Sequence, residues 1–208
     1  DYAGRHARND GRPPILCIPG LTRNARDFAH VATRLAGEWR LICVDLRGRG
    51  DSAFSKLPMS YAPLTYLQDL EDLLDTLKVE RFVAFGTSLG ALMMMILASA
   101  RPGRVAGALL NDLGPVVEEA GLNRIRGFVG KSGSWPSWVH AARAAANVHG
   151  NAHPDYDLSQ WITLSKRLYR LTAQGRIVPD YDVRIAEPMR HPGEPVDLWP
   201  AYEALGDV

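Results

Sequence analysis

Two cysteines in 208 residues, no excess of charge of either sign and no apolar run of membrane-spanning length are what this sequence withholds first. Cys17 and Cys43 both lie inside apolar runs, so a disulfide framework is not what holds the chain together. Both thiols are expected as small buried hydrophobes, in a reducing, cytoplasmic setting. Lys and Arg number 24 against 23 Asp and Glu, a net charge of +1. That balance removes the electrostatic footprint of a nucleic-acid binder or of a protein docked on an anionic membrane. The longest strongly apolar stretch, Leu89 to Ala100, falls short of the roughly 20 residues that cross a bilayer, and reads as a buried helix. Repeats, low-complexity tracts, a signal peptide and an initiating Met are also missing, so Asp1 is expected to be a cut or processed end. What is present, 46% hydrophobic and 23% charged residues, is the composition of a soluble globular protein able to bury a sizeable core.

The first half alternates strand and helix signals. Pro14 to Ile18 is a continuous apolar run stopped by Pro19-Gly20, as expected of a strand covered on both faces. A helix is expected from about Arg26 to Ala36, with Thr22 and Asn24 as candidate caps. Arg40 to Val44 is the next strand, ending in Asp45 and the turn Gly48-Arg49-Gly50. Leu67, Leu70, Leu74 and Leu77 recur at helical spacing. Phe82 to Phe85 and Val105 to Leu110 are further strands, with the Leu89–Ala100 helix between them. Strands separated by helices imply a parallel, doubly wound α/β sheet. After Pro115 no strong strand candidate appears. Gly- and Pro-punctuated helices carry four of the five tryptophans there: Trp135, Trp138, Trp161 and Trp199. Such a segment is expected to lie over the carboxyl end of the sheet, with the aromatics chiefly gluing its helices together.

The chemistry centres on Gly86-Thr87-Ser88-Leu89-Gly90, between an apolar strand and an apolar helix. A strand-to-helix turn this sharp strains its central residue and requires small neighbours, hence the two glycines. The serine oxygen is then presented at the carboxyl end of the sheet. Two other patterns are set aside. Gly127 to Ser132 resembles a phosphate-binding loop but has Ile125 where its first glycine belongs, and Arg49-Gly50-Asp51 is part of a turn that other residues explain.

Four segments, in order, resemble the α/β-hydrolase fold family, specifically its capped members. Cys17 to Leu21 is similar to the family's oxyanion segment, with Pro19 in place of the usual His. Asp45 to Ser52 is similar to the D-x-R-G-x-G-x-S turn, Gly86 to Gly90 to the nucleophile elbow, and Leu109 to Pro115 to the segment that enters the cap. The resemblance covers residues 1–115 well and implies a core there, a helical cap over 116–195 and a return helix over 196–208. It implies Ser88 as nucleophile, the backbone N–H groups of Leu21 and Leu89 as the oxyanion hole, hydrolysis of a carboxylic ester or related acyl bond, and no cofactor or metal. A serine at the elbow argues against the dehalogenase and epoxide-hydrolase chemistries of this fold, which use Asp there.

The resemblance also implies a general base, a histidine after the last strand, and an acid between serine and histidine. The chain reaches Val208 before such a strand, so it is expected to match an internal portion of a capped hydrolase that lacks the last strands and the triad His. Asp112 occupies a position some relatives use for the acid; a hinge or capping role before the cap is the alternative. His6 and His30 lie in the wrong part of the fold. His140, His149 and His153 fall in the cap, where Gly150 and Asn151 spoil a metal-binding helical face; His191, in the loop after it, is a weak match for the base. Val105 to Leu110 is expected as an open, apolar sheet edge, disposing the chain to dimerise or exchange strands. The expected partner is a small ester-like molecule, with no nucleic acid and no membrane. A non-catalytic fragment or ligand-binding module that keeps the pocket stands as the alternative.

Overall fold

Residues 11–190 and 196–206 are described in the computed structural model of the chain. Four apolar runs form β1 (Ile15–Ile18), β2 (Leu41–Cys43), β3 (Phe82–Thr87) and β4 (Val105–Asn111). They pair in parallel in the order β2-β1-β3-β4. Parallel neighbours need crossovers, and helices α1 (Ala29–Leu35), α2 (Pro63–Thr76) and α3 (Leu89–Ala100) lie between the strands in sequence.

Alternation along β1 explains why its run is apolar throughout. Leu16 and Ile18 join the cluster of Leu70 and Leu74 from α2 and Met93, Met94 and Leu97 from α3. Cys17, between them, turns to the opposite cluster with Phe28, Ala32, Leu41 and Cys43. Both cysteines are free and buried, as expected. The single helix expected from Arg26 to Ala36 is instead a 3-10 turn, Ala25–Phe28, running into α1. Its cap is Asn24, whose side chain accepts the Arg26 N–H at 3.1 Å.

Beyond Pro115 come α4 (Glu119–Phe128), α5 (Trp138–His149) and α6 (Leu158–Leu168), then α7 (Glu187–Arg190) and α8 (Trp199–Glu203). The expectation of no strands here is corrected: β5 (Tyr169–Leu171) and β6 (Ile177–Pro179) form an antiparallel hairpin. Three residues per strand are too few to show a period-two pattern, which is why the hairpin is silent in the sequence. Ala142 and Ala145 of α5 pack against Trp161 and Leu168 of α6. The small alanines admit the indole ring, so Trp161 does glue these helices together. Trp199, by contrast, is half exposed. Among the described residues no helix is long and apolar enough to cross a membrane.

Among the described residues β4 ends the strand order, and it presents Leu109 at 51% exposure. An unpaired apolar edge templates pairing with another chain, and a lysine on such an edge opposes it. The 208-residue chain alone is therefore expected to self-associate in sedimentation, and Leu109→Lys to shift it toward monomer. A wild-type monomer at all concentrations would contradict this.

Candidate active site

β3 ends and α3 begins at Ser88, whose backbone is held at φ 51° and ψ −109°. An L-residue rarely adopts positive φ, and this φ and ψ pair lies outside the left-handed helical region, so the surroundings must hold it. The Ser88 N–H donates to the Asn111 carbonyl of β4 at 2.8 Å, and the Ser88 carbonyl accepts from Leu92 at 3.0 Å. The flanking glycines are fixed by contact. A Cβ on Gly86 would lie 2.5 Å from the Gly90 carbonyl carbon, and one on Gly90 would lie 2.2 Å from the Ile18 carbonyl oxygen. The serine is thus set at the N-terminus of α3, where first-turn N–H groups lack intrahelical partners and the helix dipole is positive. The sharp turn expected from Gly86 to Gly90 is present.

The loop after β1 runs past this turn. A Cβ on Gly20 would stand 3.7 Å from the Ser88 Cβ, and Leu21, next in sequence, lines the same cavity as Ser88 and Leu89. Asp112 joins them. Thr87 pairs with Asn111 across β3 and β4, so Ser88 and Asp112 each follow a paired residue at the carboxyl ends of adjacent strands. Asp112 also has positive φ, 62°, and is exposed. The four residues singled out in the sequence, Leu21, Ser88, Leu89 and Asp112, all line one cavity of about 560 Å³. Its remaining walls are largely apolar, with Leu122 and Ile125 of α4 and Ile185 and Met189 contributing from the segment beyond Pro115.

None of the histidines among the described residues lines that cavity. His140 bonds Ser137, and His153 stacks on Tyr156 at 4.3 Å. His149 lines a separate cavity of about 150 Å³ with Thr22, Trp135, Tyr169 and Tyr181. Burial there, aided by Arg23, holds its imidazole below the usual range, while burial pushes the Tyr169 phenol up to about 12. His6 and His191 lie outside the described residues. Among the described residues no cluster of three His, Cys, Asp or Glu side chains could hold a metal.

Sequence reasoning missed the network that fixes the loops around the serine. The Asp45 carboxylate accepts from the N–H groups of Ala25 at 2.7 Å and Asp51 at 3.0 Å, tying the loop after β1 to the turn after β2. Gly50, at φ 51°, lies directly on that carboxylate, where a Cβ would come within 2.3 Å of an oxygen. Arg49 is wholly buried. Its Nε donates to the Leu21 carbonyl at 2.8 Å, and its Nη1 to the Arg47 carbonyl at 2.7 Å and the Tyr66 hydroxyl at 2.8 Å. The same turn grips the chain after β6. The Asp182 N–H donates to Gly48 at 2.7 Å and the Gly50 N–H to Asp180 at 3.0 Å. Asp180, itself buried, takes an ion pair from Arg26 and a longer one, 3.6 Å, from Arg170. The bonds from Gly48, Gly50 and Arg26 to the chain after β6 join residues over a hundred positions apart, and the network as a whole shares no local pattern. An arginine and aspartates in otherwise apolar or glycine-rich turns were the only signal.

Asp182 accepts from the Tyr61 hydroxyl at 2.6 Å and pairs with Arg184 at 2.7 Å. Burial alone would raise its carboxyl, but the bonds from Arg184 and Tyr61 outweigh burial and hold it below the usual range. With a folded value below the unfolded one, its stabilisation is complete above about pH 4 and is lost as pH falls through the folded value. Asp182→Asn is expected to cost about 1–3 kcal/mol at pH 7 and to flatten the acid limb of stability. Urea unfolding at pH 7 and pH 3 measures both; equal losses at the two would contradict the linkage.

Comparison with known proteins identifies the family of this fold. The family described as alpha/beta hydrolase fold matches residues 13–199. The crystal structure of an alpha/beta hydrolase from Novosphingobium aromaticivorans is 52% identical with TM-score 0.92, over 99% of this chain and 72% of that one. An esterase from Mycobacterium tuberculosis superposes with TM-score 0.61 at 25% identity, over 83% of this chain and 57% of that one. The 3-hydroxybutyrate-oligomer hydrolase of Cupriavidus necator is 39% identical over 116 residues, 56% of this chain. That stretch is 40% of the relative, so the match spans less than half of its length.

Proposed function

Because this chain belongs to the alpha/beta hydrolase fold family, we propose that it is a serine hydrolase that cleaves carboxylic esters or related acyl bonds through an acyl-enzyme at Ser88. The observation that carries this reading is the forced φ of 51° at Ser88, at the start of α3 and in one cavity with Leu21, Leu89 and Asp112. Ser88 Oγ adds to the substrate carbonyl carbon, and the oxyanion that forms takes hydrogen bonds from the N–H groups of Leu89 and Leu21. Collapse breaks the bond to the leaving alcohol, which departs with the proton taken from Ser88. Water then adds to the acyl-enzyme by the same steps and releases the acid. Each fixed oxyanion donor is worth about 3 kcal/mol in such a step. Asp112 is the acid that orients the base. The base itself is an imidazole, the one component that the described residues lining the cavity do not supply. No step calls for a metal or an organic cofactor.

A largely apolar cavity of about 560 Å³ suits a medium-sized, mostly apolar ester. The resemblance to a 3-hydroxybutyrate-oligomer hydrolase makes short hydroxyacid oligoesters a rational second probe. The absence of an imidazole among the described lining residues favours a second reading, a ligand-binding module with the same cavity and no turnover. Fluorophosphonate labelling of the wild type beside Ser88→Ala separates the two. Labelling that requires Ser88 supports the hydrolase. Ligand binding without labelling, in a folded chain, supports the binding module.

A further inference from the structure

We infer that Arg49 is the positioning residue of the oxyanion loop: its buried guanidinium holds the Leu21 carbonyl and stations a cation behind the loop that passes Ser88. The inference rests on the hydrolase reading for its catalytic meaning, but its geometry stands alone. Leu21 contributes to the proposed site through its N–H, and a backbone N–H is aimed only if the rotation of its residue is fixed. The Nε bond of 2.8 Å from Arg49 to the Leu21 carbonyl supplies that constraint from the core side. Other bonds hold the loop farther along, from the Arg23 N–H to the Gly20 carbonyl at 3.1 Å, from the Ala25 N–H to Asp45 at 2.7 Å and from the Asn24 side chain to the Arg167 carbonyl at 2.8 Å, whereas the Arg49 bond acts on Leu21 itself.

Arg49 is itself rigid. Its guanidinium carbon lies 4.7 Å from the Tyr66 ring centroid and 5.9 Å from that of Tyr61, and both tyrosines line the Ser88 cavity. Its backbone forms an antiparallel bridge with Tyr181, flanked by the Gly48–Asp182 and Gly50–Asp180 bonds. Arg49 therefore joins the loop after β1 and the turn after β2 through its side chain, and the segment after β6 through its backbone.

A buried arginine is a costly choice for stability alone. Desolvation disfavours its charged form, and burial does lower its pKa, opposed by Tyr66 and Tyr61 and then by the more distant Asp182 charge. Its hydrogen bonds go to two carbonyls and a phenol, with no carboxylate among them. The cation is thus left largely unneutralised in a low-dielectric setting. There its field favours negative charge developing nearby, which in the proposed reaction is the oxyanion.

The test compares wild type, Arg49→Met and Arg49→Lys by peptide-resolved hydrogen exchange and by p-nitrophenyl butyrate kinetics. In Arg49→Met, exchange over residues 19–23 is expected to rise about tenfold or more while residues 82–87 stay protected, which also certifies the fold. With the loop loosened, kcat is expected to fall about 100-fold and KM to stay within about twofold, because the loss is confined to the transition state. Arg49→Lys keeps the charge and one donor, and should recover part of both effects. Unchanged exchange over 19–23, or a loss carried by KM with kcat intact, overturns the inference. Should the wild type show no Ser88-dependent turnover, the hydrolase reading fails, and exchange alone decides whether Arg49 holds the loop.

Discussion

Ser88→Ala is expected to lower ester turnover by about a thousandfold to a millionfold while leaving the fold and ligand binding unchanged, since loss of the nucleophile alone collapses a triad mechanism. The substitution removes one oxygen and keeps the Cβ, so the strained backbone at φ 51° is equally strained before and after. The Ser88 side chain makes no cap bond to α3, and the bonds that pin the turn are main-chain ones, from Ser88 N–H to Asn111 and from Leu92 N–H to Ser88. Stability is therefore expected to move by less than about 0.5 kcal/mol, the range of substitutions that break no structural bond. A catalytic loss without a stability loss separates a nucleophile from a turn serine. Kinetics with p-nitrophenyl butyrate and a urea titration on the same preparation measure both. Turnover that survives in Ser88→Ala would place the chemistry elsewhere.

Gly90→Ala is the largest structural effect expected. Its new Cβ would meet the Ile18 carbonyl oxygen at 2.2 Å and the carbonyl carbon at 2.9 Å. Neither side can yield cheaply. β1 lies between β2 and β3, its Leu16 and Ile18 are wholly buried, and the Met93 and Met94 side chains of α3 pack in the same cluster. Relief requires α3 to lift from the sheet, which would drag Leu89 and Ser88 with it. A cost of at least about 3 kcal/mol follows, at the upper end of overpacking effects, with loss of turnover. Gly127→Ala is the matching control. It sits exposed in α4 with nothing within 4 Å of the added methyl, and should gain up to about 1 kcal/mol from helix propensity. Urea unfolding of the two variants checks the pair; a mild Gly90→Ala would show that the close approach of α3 to β1 is not enforced.

These expectations also mark what the chain discloses locally. β1 and β2 were legible because a strand buried on both faces is apolar at every position, as Leu16, Cys17 and Ile18 are. β3 and β4 were legible because their apolar runs flank the apolar α3, although β4 is partly exposed. The elbow was legible because a strand-to-helix turn this sharp needs small residues on both sides of Ser88; Gly86 answers to Gly90 and Ala91 nearby, whereas the closeness of Gly90 to Ile18 of β1 came only with the fold. Asp112 was legible only as a residue ending a strand; that it shares a cavity with Ser88 depends on β3–β4 register. The β5–β6 hairpin was invisible because each strand is three residues long. Arg49 was read as one more turn residue, since its partners Leu21 and Tyr66 come into range only through the fold. The same holds for Asp180 and Asp182, whose partners Arg26 and Tyr61 lie 154 and 121 positions away. A residue that completes a local motif, as Gly90 does, can be read from sequence even when its contact is distant; Arg49, Asp180 and Asp182, which complete no such motif, could not.

The central claim is covalent, an acyl group carried on Ser88, and it is tested most directly by catching that group. The wild-type chain would be mixed with p-nitrophenyl butyrate, quenched in acid within the first turnover, digested and weighed by mass spectrometry. The account predicts one added butyryl group on the peptide that carries Ser88, and none in Ser88→Ala. Turnover without that adduct, an adduct on another residue, or a folded chain that forms neither adduct nor product would contradict it.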